Sequence, residues 1–390
     1  MYQGEYGFLS QSNVVFGQSA ASAIATEITK RQVQRVLLVS SRSLNRRLGA
    51  TASISASLGE RQVGLFDDIE PHAPLSAILN LVNCIDETRP DLIVSVGGGS
   101  VIDTIKVATL SHAAGAKTTQ DIAALRVTVD EKGKQVSPVN PHQLIRQIAV
   151  PTTLSGAEWG TIGGAVDTER NIKDIYAHSQ MCSDTIIYDP ELCRLTPNEL
   201  WISTAIRAVD HAVETILSPA ANPFTDGSAL HALRLFGRSL SHGDQQELSL
   251  ESIQESQFAV WLATVGLMRT PYGASHGIGH QLGAVAGVPH GLCSCILLPA
   301  VLAYNAEAAG ERDAWIAEAL GFPEKSASEA CLELIRRLKL TDNLKDAGVT
   351  REQLPQIARA SLGAYFVKNN LRPITSESQV LEILAMAWSR

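Results

Sequence analysis

The 390-residue chain is short of positive charge: 32 Lys and Arg face 40 Asp and Glu, a formal net charge of −8. That balance argues against a nucleic-acid or anionic-membrane footprint, so a small molecule is the expected partner. Cysteine is sparse too. Cys84, Cys182, Cys193, Cys293, Cys295 and Cys331 include no CxxC pair, which reads as reduced thiols in a cytosolic setting rather than a disulfide framework. Cys293-Ser-Cys295, the one close pair, reads as two small apolar side chains in a buried element. The first residues, Met1 to Tyr6, lack a basic stretch followed by an apolar one, so no secretory signal is read. No uninterrupted apolar run approaches the ~20 residues that span a bilayer. Internal repeats and low-complexity segments are also missing. A soluble, cytoplasmic protein is expected.

What is present is ordinary for a globular enzyme: 45% hydrophobic and 18% charged residues, in a chain long enough for two domains. Short β-branched runs punctuate the first half: Val36-Leu-Leu-Val39, Gly64-Leu-Phe66, Leu92 to Val96, Ile148-Ala-Val150 and Thr185 to Tyr188. Their continuous apolar character predicts strands covered on both faces, hence a parallel α/β sheet. Beyond Asp189-Pro190 the pattern becomes helical, with no convincing strand. Thr196-Pro197-Asn-Glu199 reads as a helix start with Thr196 as N-cap. The boundary is set there: 1–195 an α/β dinucleotide-binding domain, 196–390 an all-helical domain. Residues 117–142 read as an excursion with a hairpin, overhanging the cofactor site. Ser218 to Pro223 ends the helix that carries His211.

A strand running from Asp91 to Val96 feeds Gly97-Gly98-Gly99-Ser100 and then a helix containing Asp103 and Lys106. Glycines let amide groups approach phosphate oxygens, and the helix start adds its positive dipole end, so this turn is a candidate pyrophosphate cradle. The plainer reading is a tight turn with Ser100 as N-cap and Asp103 completing the cap. No GxGxxG fingerprint follows the first strand. Thr152, Thr153 and Ser155 form a second candidate wall for ribose or nicotinamide groups, or else satisfy loop backbone. Ser41 and Arg42 stand where an NAD-selective site places a carboxylate, so both NAD(H) and NADP(H) are admitted.

Histidine marks the second half. His276-Gly-Ile-Gly-His280 and His290 lie within fifteen positions, and His211 follows Arg207 by four residues. On a helix Arg207, His211 and Glu214 share one face, Asp210 is rotated roughly a quarter-turn away, and His276 and His280 share another face.

Taken with Val15-Phe-Gly17, Gly97 to Lys106, Pro151-Thr-Thr with Glu158, Tyr188-Asp-Pro190 and His276 through Pro299, these residues resemble the iron-containing (group III) alcohol dehydrogenase superfamily. That superfamily includes the maleylacetate reductases. The resemblance runs over nearly the whole chain. It implies the dehydroquinate synthase-like architecture: an N-terminal dinucleotide-binding α/β domain, an all-α C-terminal domain, and a reaction cleft between them. It implies hydride transfer between NAD(P)H and an alcohol, aldehyde or ketone in a homodimer or larger assembly. Family members usually hold a divalent metal on one aspartate and three histidines. The histidines fall on His211, His276 and His290, with His280 near the nicotinamide; the aspartate falls on Arg207. A cation in place of an anionic ligand opposes a doubly charged ion, although three neutral imidazoles can hold zinc elsewhere. The expectation is therefore no tightly held iron or zinc. Arg207 either pairs with Asp210 or takes over the metal's role, binding a carboxylate or polarising a carbonyl oxygen, while His280 or His276 moves the proton. Maleylacetate reductase, converting maleylacetate to 3-oxoadipate in aromatic degradation, is the alternative, although the 117–142 excursion and the His276–His280 string look more like the general alcohol-dehydrogenase branch. A catalytically silent nucleotide-binding scaffold is a third reading.

Overall fold

The computed structural model describes residues 5–129, 135–170, 172–241 and 248–389. The chain forms two compact units, Phe8–Thr196 and Pro197–Arg390 with Met1–Gly7.

Among the described residues the first unit holds ten strands: β1 Asn13–Phe16, β2 Val36–Ser40, β3 Gln62–Phe66, β4 Leu92–Gly97, β5 Thr128–Val129, β6 Gln135–Val136, β7 Arg146–Pro151, β8 Ile162–Asp167, β9 Ile172–Ala177 and β10 Thr185–Tyr188. Six of them make one parallel sheet in the order β1-β10-β7-β4-β2-β3. Along β2 the side chains alternate between two cores. Leu37 and Val39 pack with Ile78, Leu81, Ile105 and Ala108, while Val36 and Leu38 pack with Ile24, Ile28 and Ile54. Both faces are thus covered, which is why the strands read as unbroken apolar runs.

Two antiparallel ribbons lie outside this sheet. β5 pairs with β6 inside the 117–142 excursion, preceded by a helix, Thr119–Ala124, closed by a capping box on Thr118. The turn of that hairpin lies outside the described residues. β8 pairs with β9 through Ile162↔Ala177 to Asp167↔Ile172, a ribbon the sequence did not announce.

The second unit is helical throughout its described residues. Its core gathers Ile278, Leu282, Ile296, Leu297, Val301, Ile357, Val380 and Ile383. Helix His290–Ala309 is the one helix among the described residues long and apolar enough to cross a membrane, and most of it is buried in this core. Cys293 and Cys295 lie on it, both inaccessible to solvent. The helix bearing Arg207 runs Asn198–Ile216, and the next begins at Pro223 behind an Asn222 capping box. Thr196 is not its cap. The N-cap is Pro197, and the Thr196 hydroxyl donates instead to the carbonyl of Thr152 at 2.6 Å.

Candidate active site

In the sheet unit the register aligns strand ends: Ser40 pairs with Val96, and Gly97 with Pro151. The turns after β2, β4 and β7 therefore emerge side by side. The chain crosses from β2 to β3 on one side and from β4 to β7 on the other, so the topological switch falls between β2 and β4. Open α/β sheets bind ligands outside the carboxyl ends of strands at such a point.

Helix Gly99–Ala113 starts there. Its N-cap is Gly98, not Ser100, which sits in the first helical turn. The first intrahelical bonds are those of Val101 and Ile102 N–H to the Gly98 carbonyl, so the amides of Gly99 and Ser100 precede the ladder and face outward from the helix end. Nor does Asp103 complete a cap; a carboxylate oxygen accepts from the Gly164 amide at 3.3 Å. Gly97 and Gly98 are demanded by close approach: a Cβ on Gly97 meets Val101 Cγ2 at 2.5 Å, and one on Gly98 meets Thr153 Cγ2 at 2.8 Å. The same contacts place Thr153 and Ser155 against the glycine turn, with their hydroxyls 3.5 Å apart. Thr152 N–H donates to the Gly97 carbonyl at 3.1 Å. The two walls read from sequence thus form one backbone-lined cradle.

Ser41 lies at the end of β2, where its hydroxyl accepts from Leu44 N–H and meets the Ser43 hydroxyl at 3.0 Å. Arg42 pairs with Asp68, and Arg46 holds both oxygens of Asp67 at 2.6 and 2.7 Å. The carboxylates of this corner therefore follow β3, not β2.

Beneath the cradle, Lys106 is buried and donates to the carbonyls of Ala157, Gly160 and Ile162. Burial lowers its pKa. Glu158 is also buried, with no well-formed hydrogen bond on either carboxylate oxygen, and desolvation pushes it up to about 7.

The helical unit is built from side chains. Gly291 allows helix His290–Ala309 to press on helix Asn198–Ile216, for a Cβ there meets the Ser203 carbonyl oxygen at 2.9 Å. Ser294, one turn further, consequently reaches Arg207. The Arg207 residue is 9% exposed. Its Nη1 donates to Ser294 Oγ at 3.0 Å and to Asp210 Oδ2 at 3.5 Å. Asp210, expected off this face, is at its centre: Oδ2 also accepts from the Ser294 and Ser275 hydroxyls at 2.7 and 2.9 Å. The long Arg207 side chain and the two serines from neighbouring helices, all reaching Asp210, explain the difference.

A second chain runs alongside. Glu214 Oε1 accepts from Ser275 N–H at 2.8 Å, Glu214 Oε2 lies 2.6 Å from His276 Nδ1, and His276 Nε2 lies 3.0 Å from His211 Nδ1. Burial, then the nearby Asp210 charge, pushes Glu214 up to about 8; burial, then Arg207 and the other imidazoles, drive His276 well below the usual imidazole range. Near neutral pH the consistent assignment is a protonated Glu214 donating to His276 Nδ1, and His276 Nε2–H donating to His211. His276 is then a neutral relay rather than an acid, and His280 is half-buried beside it.

His280 and His290 form a separate pair, ring centroids 5.4 Å apart, with the His276 and His280 rings at 6.5 Å. Phe366 closes the space between, 5.5 Å from His280 and 6.4 Å from His276, and Tyr272 stacks at 4.6 Å from His276. Sequence reading missed Ser275, Ser294, Tyr272 and Phe366; the serines' positions beside His276 and one turn after His290 were the available signals.

His211, His276 and His290, expected to converge, lie in one run of ring contacts, His211 to His276 at 4.8 Å, His276 to His280 at 6.5 Å and His280 to His290 at 5.4 Å. Among the described residues the one set of three metal-type donors within 4.8 Å is Asp210, Glu214 and His276. Its oxygens and Nδ1 are engaged in the bonds above, apart from Asp210 Oδ1, and the Arg207 cation lies on Asp210. This donor set does not fit the divalent ion of an aspartate-and-three-histidine site.

Residues 11–190 match the family model for iron-containing alcohol dehydrogenases and residues 201–388 that for the C-terminal part of the same family. Dehydrogenase ALT3 of Alternaria alternata is 32% identical over 389 residues, covering 90% of this chain and 98% of its own. The chain belongs to the iron-containing alcohol dehydrogenase family. It is an oxidoreductase of that type. Maleylacetate reductase 1 of Cupriavidus pinatubonensis is 26% identical, covering 95% of this chain and 92% of its own. The solved structure of sulfoacetaldehyde reductase from Bifidobacterium kashiwanohense in complex with NAD+ superposes with a TM-score of 0.86 at 22% identity, covering 99% of this chain and 100% of that one. It shares the fold.

Proposed function

We propose that the chain transfers hydride between NAD(P)H and an acid-bearing carbonyl compound or the corresponding alcohol, with Arg207 standing in for the family's aspartate ligand and no tightly bound iron or zinc. The sheet unit would hold the dinucleotide: phosphates on the Gly97–Ser100 amides, with Thr152, Thr153, Ser155 and Ser41 beside them. The nicotinamide, when bound, would supply hydride to a carbonyl carbon, and His280 would supply the proton to its oxygen. Arg207 supplies a fixed positive charge, either for the substrate's acid group or for its carbonyl oxygen. His211, His276 and Glu214 hold that region's polar groups in one arrangement.

The observation that carries this reading is the Arg207 guanidinium, nine-tenths buried and anchored on Asp210 and Ser294 beside the imidazoles. Solvent exposure would have favoured a surface pair worth only a few tenths of a kcal/mol. Maleylacetate reductase is the second reading, favoured by the relative of that name and by a cation suited to dicarboxylates. A soluble cytoplasmic homodimer acting on a small molecule completes the proposal.

The test is NADH and NADPH turnover against a panel of oxo-acids, aldehydes and ketones, including maleylacetate, alongside elemental analysis. Hydride transfer with far less than one iron or zinc per chain is expected. Stoichiometric metal, removable by chelator with loss of activity, would overturn the metal-free assignment. Cofactor binding without turnover of any compound would favour the silent scaffold.

A further inference from the structure

We infer that the Nε–Nη2 edge of Arg207 is a carboxylate fork, and that Ser294 is the positioning residue that sets it. The inference rests on the oxidoreductase reading and decides between the two roles open to Arg207. Both hydrogen bonds of the guanidinium arise from one nitrogen, Nη1, which donates to Ser294 Oγ at 3.0 Å and Asp210 Oδ2 at 3.5 Å. Among the described residues Nε and Nη2 have no partner, and the side chain keeps 11% of its surface open. A guanidinium is planar, so fixing one Nη1 corner fixes the direction of the opposite edge. That edge presents parallel N–H groups, which match the two oxygens of a carboxylate, whereas a single carbonyl oxygen would leave part of the fork unpaired.

The anchor makes the fork specific. Asp210 Oδ2 divides its acceptor capacity among Ser275, Ser294 and Arg207, and its contact with Arg207 is the longest of the three. The guanidinium charge is therefore held in place without being fully matched by a close bidentate carboxylate. Ser294 does two things with one hydroxyl: it accepts from Arg207 and donates to Asp210. His211 stands one helical turn from Arg207 on the same helix, roughly 6 Å along its axis. Phe366, against His276 and His280, supplies an apolar wall beside these groups.

Succinic semialdehyde and butanal differ in the carboxylate and test this with the full-length chain and NADPH or NADH. Wild type is expected to favour the acid at least 100-fold in kcat/KM. Arg207→Lys, which keeps the charge but loses the fork, should bring that ratio below 10. Ser294→Ala should cut it about tenfold, chiefly through KM for the acid, and Ser294→Thr should restore it; a merely structural serine would change melting temperature without moving the ratio. Calorimetric titration of succinate should give a Kd at least 30-fold weaker in Arg207→Lys. A wild-type ratio below 3, or an unchanged ratio in Arg207→Lys with both rates falling together, overturns the fork and leaves Arg207 on the reacting oxygen. Failure of hydride transfer to every compound would remove the oxidoreductase reading instead, while succinate titration still decides the fork.

Discussion

The sheet unit and the helical unit carry their candidate chemistry in different materials. At the end of β4 the groups aimed outward are amides of Gly99 and Ser100, and the residues around them serve to let backbone come close. Around helix Asn198–Ile216 the working groups are side chains, each held by another: Arg207 by Ser294 and Asp210, His276 by Glu214, His211 by His276. A backbone site survives any substitution that leaves space and conformation alone. A side-chain site changes its chemistry with one residue.

The largest effect should come from breaking the side-chain site. Arg207→Ala removes the cation and leaves Asp210 buried with only serine donors, so kcat/KM on an acid substrate should fall more than ~10²-fold, as on loss of a buried, charge-assisted bidentate contact. Steady-state kinetics with melting curves checks this. A loss under threefold would leave Arg207 as a structural partner of Asp210.

Gly98→Ala attacks the backbone site and should be smaller. The new Cβ meets Thr153 Cγ2 at 2.8 Å, so the turn must open and its amides retreat from the phosphates. NAD(P)H affinity, followed by nicotinamide fluorescence, should weaken about tenfold, a little over 1 kcal/mol. Adding Thr153→Ser deletes the methyl group and should recover part of it. An unchanged Kd would place the dinucleotide elsewhere.

How much of each unit could be read from sequence follows from the same difference. Four of the six sheet strands, β2, β4, β7 and β10, were legible because burial on both faces makes their apolar runs continuous; the edge strand β3 was read from Gly64-Leu-Phe66 although Leu65 is exposed, and β1, a four-residue edge strand ending in exposed Phe16, was not read. Both walls of the cradle were legible as strand-then-glycine or strand-then-hydroxyl patterns, but which residue caps the helix was not, because Gly98 and Ser100 are equally compatible with that string. In the helical unit, spacing told correctly that Arg207, His211 and Glu214 share a face. It could not tell how the neighbouring helices approach. Ser294 and Ser275 arrive from other helices, drawing Asp210 into the network, and His290 meets His276 through His280.

An effect on stability rather than on turnover or affinity sharpens the comparison from the sheet side, where two side chains, Glu158 and Lys106, do carry buried charge chemistry. Glu158 has a folded-state pKa of about 7 against an ordinary 4.5, so the folded chain binds this proton more tightly than the unfolded chain. Between those two values the unfolded state is already ionised while the folded state is still protonated, and stability falls as pH rises. Above about 7 the carboxylate ionises in the fold as well, and the loss levels off at about 3 kcal/mol. Lys106 only partly offsets this, because its ammonium is committed to the carbonyls of Ala157, Gly160 and Ile162. Glu158→Gln cannot ionise. Denaturant unfolding from pH 4.5 to 8 should therefore show the variant gaining on wild type through that window, and the difference isolates Glu158 from Glu214, whose slope is common to both. A pH-independent difference would mean that Glu158 is already ionised in the fold at pH 4.5, with Lys106 as its counter-charge.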